Sequence, residues 1–239
     1  MTAIRPGTDS LGEDGFGRLV AGHPRIGCRP PSIRSPQMTT SQAVPVERSA
    51  LLVIDVQESF RGNPGRWSRR AHPEFEARVA RLISAYRAAG LPVIFFLHTD
   101  PDPHFEPESP HLRLMDFIVP EAGEPVLLKT TRNCFTSTDL GARLEALGVR
   151  RLAITGIQTE QCCETTARLA ADLGYDVDFV TEATQSFPIR HTDPGMDDEL
   201  PAAEVVRRTE FALRKRFARI TTVDALVREL EGVMTPSAG

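Results

Sequence analysis

The chain has 239 residues, with 28 Lys and Arg against 32 Asp and Glu, 41% hydrophobic residues and 25% charged, the composition of an ordinary globular domain. A formal net charge of −4 excludes overall attraction to phosphates, so neither nucleic acid nor an anionic membrane surface is expected as a partner. No uncharged apolar run approaches the ~18 residues of a membrane span and the N-terminus lacks a secretory apolar core, so a cytoplasmic protein is expected.

Residues 1–46 hold six Gly and six Pro with no sustained apolar period, and they are expected to be a disordered extension because they bury too little to offset the entropy of ordering. Met38 offers an alternative start to Met1. A folded domain is expected over 47–234, followed by a flexible tail, 235–239. Within the domain, short continuous apolar runs alternate with amphipathic stretches, the pattern of strands buried on both faces with helices outside. Ala50–Ile54 reads as the first strand. Pro73–Ala89 reads as a helix, with Phe75, Val79, Leu82, Ile83 and Tyr86 on one stripe and Gly90 closing it. Val93–Leu97 and Pro125–Leu128 are the next strands, and Leu140, Leu144 and Leu147 mark a second helix. Arg151–Thr155 is a strand, Cys162–Leu173 a helix and Val177–Val180 a strand. A helix over Ala202–Phe217, a brief run at Ile220–Thr221 and a helix over Val223–Leu230 complete the chain. This order predicts an α/β fold: a three-layer, Rossmann-like sandwich around a mostly parallel six-stranded sheet with right-handed crossovers.

Ligands of such sheets bind beyond the carboxyl ends of the strands. That edge collects Asp55, His98 to Asp100, Lys129, and Gly156 to Cys162. A thiolate at Cys162, at the start of a predicted helix, gains from the helix N-terminal charge and from a nearby cation such as Lys129, both of which lower a thiol pKa. Asp55 is placed to accept the thiol proton and return it to a leaving amine, and exposed N–H groups can hold an oxyanion. Each residue also has a plainer reading: a strand-end Asp as a turn cap, a solvated Lys, and a Cys162-Cys163 pair as core filling. Adjacent helix residues diverge by ~100°, so only one cysteine of the pair faces the site and the other packs inward. The four cysteines, Cys28, Cys134, Cys162 and Cys163, are too few and too uneven for a disulfide framework or a zinc knuckle.

Three motifs then carry a resemblance: Ala50-Leu51-Leu52-Val53-Ile54-Asp55-Val56-Gln57 with Phe60; Lys129 with Phe135, Thr138 and Leu140; and Gly156-Ile157-Gln158-Thr159-Glu160-Gln161-Cys162-Cys163 followed by Thr166-Ala167 and Gly174-Tyr175. Over about residues 49–232 the sequence resembles the isochorismatase-like cysteine hydrolase superfamily, which includes nicotinamidases, N-carbamoylsarcosine amidases and other small-amide hydrolases. The resemblance implies the isochorismatase-like hydrolase fold and a triad of Asp55, Lys129 and Cys162. It implies an oxyanion hole made by the N–H groups of Gln158 and Cys162, and a cis peptide between Ile157 and Gln158. Glu160 and Cys163 depart from the usual Asp or Asn and aliphatic residue. Because the true isochorismatase branch lacks the nucleophilic cysteine, Cys162 points to C–N hydrolysis of a small amide, imide or lactam through a thioester. The family also implies a homo-oligomer.

No cofactor is required by this chemistry. The nicotinamidase branch nevertheless uses a divalent metal, for which Asp102, His104 and His111 are the alternative ligands here, in a loop with four prolines between Asp100 and Pro110. Mixed imidazole and carboxylate ligands suit zinc or iron. Phe60 and Trp67 are candidates for stacking on a planar substrate, with core packing as the competing role. Arg132 and Asn133 are candidates for holding a carboxylate or carbonyl. A retired site kept as a binding module and a redox pair at Cys162-Cys163 are the readings from other classes.

Overall fold

The computed structural model describes residues 44–193, 195 and 197–234. Its elements, in chain order, are β1 (Ser49–Ile54), α1 (Pro64–Trp67), α2 (Phe75–Ala88), β2 (Val93–His98), β3 (Val126–Lys129), α3 (Leu140–Ala146), β4 (Arg151–Ile157), α4 (Glu164–Asp172), β5 (Asp176–Gln185), β6 (Ile189–Arg190), β7 (Glu199–Leu200), α5 (Ala202–Leu213), β8 (Arg219–Thr221) and α6 (Val223–Met234). Six strands form one sheet in the order β3-β2-β1-β4-β5-β8, and β6 and β7 form a separate antiparallel hairpin. Every pairing in the large sheet is parallel, so the expected mostly parallel sheet is wholly so.

The three layers follow from β1. All six of its residues are buried, and alternation of side chains sends Leu51 and Val53 to one face and Ala50, Leu52 and Ile54 to the other. On the first face α2 contributes Phe75, Val79, Leu82, Ile83 and Tyr86 and α6 contributes Val223, Leu226, Val227 and Leu230. On the second, α3, α4 and α5 contribute Leu140, Leu144, Ala167, Ala170 and Leu213. Burying each large side chain stabilises the fold by about 1.5–3 kcal/mol, which is why apolar stripes rather than local propensity hold these helices. From β1 the chain runs outward to β2 and β3, then returns to lay β4 on the other side of β1. The carboxyl ends of β1 and β4 therefore flank a topological switch point, where α/β sheets open a crevice.

Differences from the expected elements have local causes. β5 runs on through Thr184 and Gln185 because their polar groups are satisfied in place: Thr184 Oγ1 donates to the Thr181 carbonyl at 2.7 Å and meets Thr159 Oγ1 at 2.8 Å, and the Gln185 amide pairs with the His72 backbone at 2.9 and 2.7 Å. α1 forms because the Asn63 side chain accepts from the Arg66 N–H at 3.0 Å and Pro64 opens the turn. The helix expected from Cys162 begins as a π-helical turn, Thr159–Cys163, and becomes regular only at Glu164. The domain is tied down ahead of residue 47: Val46 is buried, and Val44 donates to Asp176 and accepts from Arg151. Residues 1–43 and 235–239 lie outside the described residues, and Cys28 with them. Among the described residues no helix is long and apolar enough to cross a membrane.

Candidate active site

Asp55 is the first residue beyond β1, with a left-handed φ of +52°, a backbone state that Asp tolerates better than most residues and that recurs at functional positions. Lys129 ends β3, and its side chain lies under the end of β2. There Nζ stands 2.8 Å from Asp55 Oδ2, 3.4 Å from Cys162 Sγ, 3.1 Å from the Thr131 carbonyl and 3.3 Å from His98 Nδ1. Asp55 and Lys129 are fully buried and Cys162 is 4% exposed. The structure therefore brings the three sequence-picked residues from the ends of β1, β3 and β4 into one contact. Gly156 makes this possible, since it pairs with Ile54 across the β1–β4 ladder at φ +135°. The peptide joining Ile157 to Gln158 is cis.

The electrostatics reverse one expectation. Burial pushes the Cys162 thiol well above its ordinary range, and the Asp55 charge pushes it further, against the weaker pull of Lys129. Burial also raises Asp55, more than Lys129 lowers it. On Lys129 burial acts downward, but the charges of Asp55 and Cys162 prevail and hold it as an ammonium. Burial thus favours the neutral thiol and raises the basicity of the Asp55 carboxyl. Cys163 is fully buried in the core beside Ile54 and Ala167 and also has its thiol pushed up by burial. Burial takes Cys134 to about 12.

A chain of aromatic contacts runs outward from His98. His98 meets Phe105 (centroids 6.4 Å), Phe105 meets Phe60 edge-on (5.0 Å), Phe60 stacks near Phe187 (6.1 Å), and Phe187 leans on Trp67 (6.0 Å). Phe60 is 7% exposed, while half-buried Trp67 lies between Arg61 and Arg70. Arg66 spreads over Phe187 at 4.3 Å and donates to Gln158 Oε1 at 2.9 Å. Glu160 accepts from Ser186 Oγ at 2.8 Å, and burial raises its carboxyl.

The sequence model of the isochorismatase domain matches residues 49–225. The chain belongs to the isochorismatase family. An uncharacterized isochorismatase family protein of Bacillus subtilis (strain 168), YrdC, is 29% identical over 185 residues, 77% of this chain and 96% of that protein. Streptothricin hydrolase of Streptomyces noursei is 36% identical over 169 residues, 69% of this chain and 59% of that enzyme. Nicotinamidase 3 of Arabidopsis thaliana is 30% identical over 204 residues, 77% of this chain and 89% of that enzyme. A solved structure of an isochorismatase-family protein from Chromobacterium violaceum superposes with a TM-score of 0.72 at 29% identity, covering 80% of this chain and 97% of that one.

In this isochorismatase-family hydrolase, Asp102, His104 and His111, the alternative metal ligands, lie in one loop region. His104 and His111 meet edge to face at 5.3 Å, and Asp102 Oδ1 accepts from the backbone N–H of His104 at 2.9 Å. Among the described residues no group of three or more His, Cys, Asp and Glu is placed to hold a metal ion. His104 instead fills the space over Gly62, where a Cβ would stand 2.6 Å from its Nδ1. Asn133 is likewise committed, accepting from the N–H groups of Phe135 and Thr136 at 2.9 and 2.8 Å. Sequence reasoning left His98, Arg66, Phe105 and Phe187 without a role. For His98 the signal was Gln57, whose amide clamps the His98 backbone at 2.7 and 3.0 Å and so explains the Asp-x-Gln motif.

Proposed function

We propose that this isochorismatase-family hydrolase is a cysteine-dependent amidohydrolase that cleaves a C–N bond of a small amide, imide or lactam through a thioester. The observation that carries the reading is the contact of Lys129 Nζ with both Asp55 and Cys162 Sγ, all three residues being buried. Streptothricin hydrolase and nicotinamidase 3 among its relatives support hydrolysis at an amide.

In this mechanism Asp55 takes the Cys162 proton as Sγ attacks the substrate carbonyl carbon, and the C=O electron pair moves onto oxygen. The backbone N–H groups of Gln158 and Cys162 receive that oxyanion. On collapse the C–N bond breaks, and Asp55 returns its proton to the departing nitrogen. Water then gives a proton to Asp55 and adds to the thioester carbonyl. The C–S bond breaks, the acid is released, and Cys162 recovers its proton from Asp55. Lys129 keeps its charge throughout, countering the negative charge that passes between carboxylate, sulfur and oxyanion. A neutral resting thiol fits this sequence, because proton removal then accompanies attack instead of preceding it.

The test is ammonia release from a panel of nicotinamide, ureido acids, maleamate and N-carbamoyl amino acids, with cyclic amides followed by mass spectrometry. Hydrolysis that disappears in Cys162→Ala is the expected result; hydrolysis of an amide that survives in Cys162→Ala contradicts the mechanism.

A further inference from the structure

The three residues that lead from β4 toward Cys162 are each held by a side chain from another part of the chain. Gln158, the first residue beyond β4, accepts at Oε1 from Arg66 Nη2 at 2.9 Å. Thr159 Oγ1 meets Thr184 Oγ1 at 2.8 Å, and Glu160 Oε2 accepts from Ser186 Oγ at 2.8 Å. Thr184 lies in β5, the strand paired with β4, and Ser186 directly follows it, so these two ties come from the neighbouring strand. The tie to Gln158 comes instead from α1, 92 positions away. It holds the residue whose N–H receives the oxyanion in the proposed mechanism. The Gln158 carbonyl is also engaged, accepting from the N–H groups of Gln161 and Cys163 at 3.2 and 3.1 Å.

Arg66 is itself held at both ends. Its backbone N–H donates to Asn63 Oδ1 at 3.0 Å, and its guanidinium lies over the Phe187 ring at 4.3 Å. Phe187 is buried and rests against Phe60 and Trp67. Stacking occupies the guanidinium face and leaves its edge to donate to Gln158. The loop after α1 is fastened to the same end of β5, because the Ala71 N–H donates to the Ser186 carbonyl at 3.0 Å and the His72 backbone pairs with the Gln185 amide.

We propose that Arg66 is a positioning residue, which aims the turn that donates to the oxyanion by holding the Gln158 side chain. Its effect on rate rests on the amidohydrolase reading; its hold on the turn does not. Oxyanion donors act only within about 2.7–3.1 Å of the developing charge, and losing one costs roughly 10²–10³-fold in kcat. Arg66→Ala keeps the Gln158 N–H but loosens the residue that carries it, so the loss is smaller than that. The loss falls on the step in which charge develops on the carbonyl oxygen, and ground-state binding is spared.

The test reads the turn and the reaction separately. Hydrogen exchange by mass spectrometry on the full chain compares the unsubstituted protein with Arg66→Ala and with Arg69→Ala, whose arginine pairs with Glu199 instead. Exchange across residues 157–163 is expected to quicken about threefold or more in Arg66→Ala and to stay unchanged in Arg69→Ala. On the best amide of the panel, kcat of Arg66→Ala is expected to fall roughly tenfold with KM within about twofold of the unsubstituted value. Gln158→Met, which keeps the backbone N–H, is expected to fall as far, and the double variant no further. Unchanged exchange across 157–163, additive losses in the double variant, or a raised KM at unaltered kcat overturns the proposal. Quickened exchange in Arg66→Ala, with an unsubstituted protein that turns over no amide, keeps the hold on the turn and overturns the amidohydrolase reading.

Discussion

A Cβ placed on Gly156 would stand 1.9 Å from the carbonyl oxygen of Ile54. The two residues are register partners of β4 and β1, one step before Asp55 and six before Cys162, so their close approach sets the spacing of acid and thiol. Gly156→Ala must both adopt φ near +135° and push the strands apart, and it is expected to cost about 3 kcal/mol or more and most of the activity. Urea unfolding with kcat/KM checks this. A variant with the wild-type midpoint would show that the contact does not constrain the site.

At the opposite edge of the sheet, Arg151 and Arg219 each bridge Asp178 at 2.6 Å and Glu229 at 2.6 and 2.7 Å. Asp178 is 2% exposed. Removing one partner of a buried charge pair typically costs about 3–5 kcal/mol, because the other is left uncompensated. Asp178→Ala is expected to destabilise by that amount while kcat of the folded protein stays near wild type. A loss below about 1 kcal/mol in urea unfolding would show the network to be solvated.

Much of this was legible in the sequence, for reasons tied to particular residues. Strands buried on both faces announce themselves as continuous apolar runs, so β1, β2 and β4 were found to within two residues. Asp55 and Lys129 were picked out because strand ends position ligands in parallel sheets. The protonation of Cys162 was not legible: helix charge and Lys129 argued for a lowered pKa, and the opposing burial comes from distant parts of the chain, such as Ile54, Phe96 and Leu140, that share its core cluster. The π-helical turn at Thr159–Cys163 and the two-residue strands β6 and β7 carry no periodicity long enough to read. The pairing of His98 with Arg132 joins residues 34 positions apart, a proximity set by the β2–β3 pairing.

Burial, with Lys129 and Arg132 adding to it, lowers His98 to about 4 from its ordinary 6.5. The folded protein thus refuses a proton that the unfolded chain accepts below pH 6.5. Stability from this residue is complete above that pH and drains as pH falls toward 4, a full swing on the order of 3 kcal/mol. Between pH 7 and 4.5 the wild type is expected to lose about 2 kcal/mol more than His98→Gln, read from urea midpoints. Equal losses would mean that His98 titrates normally.

The account turns on Cys162 as the nucleophile and Cys163 as core. The most direct measurement is kcat/KM of Cys162→Ala and Cys163→Ala side by side on the best amide of the panel. The expected result is a loss of roughly 10³-fold or more for Cys162→Ala against a change within about tenfold for Cys163→Ala, whose side chain only packs. The reverse ordering, or two equal losses in folded variants, would contradict it.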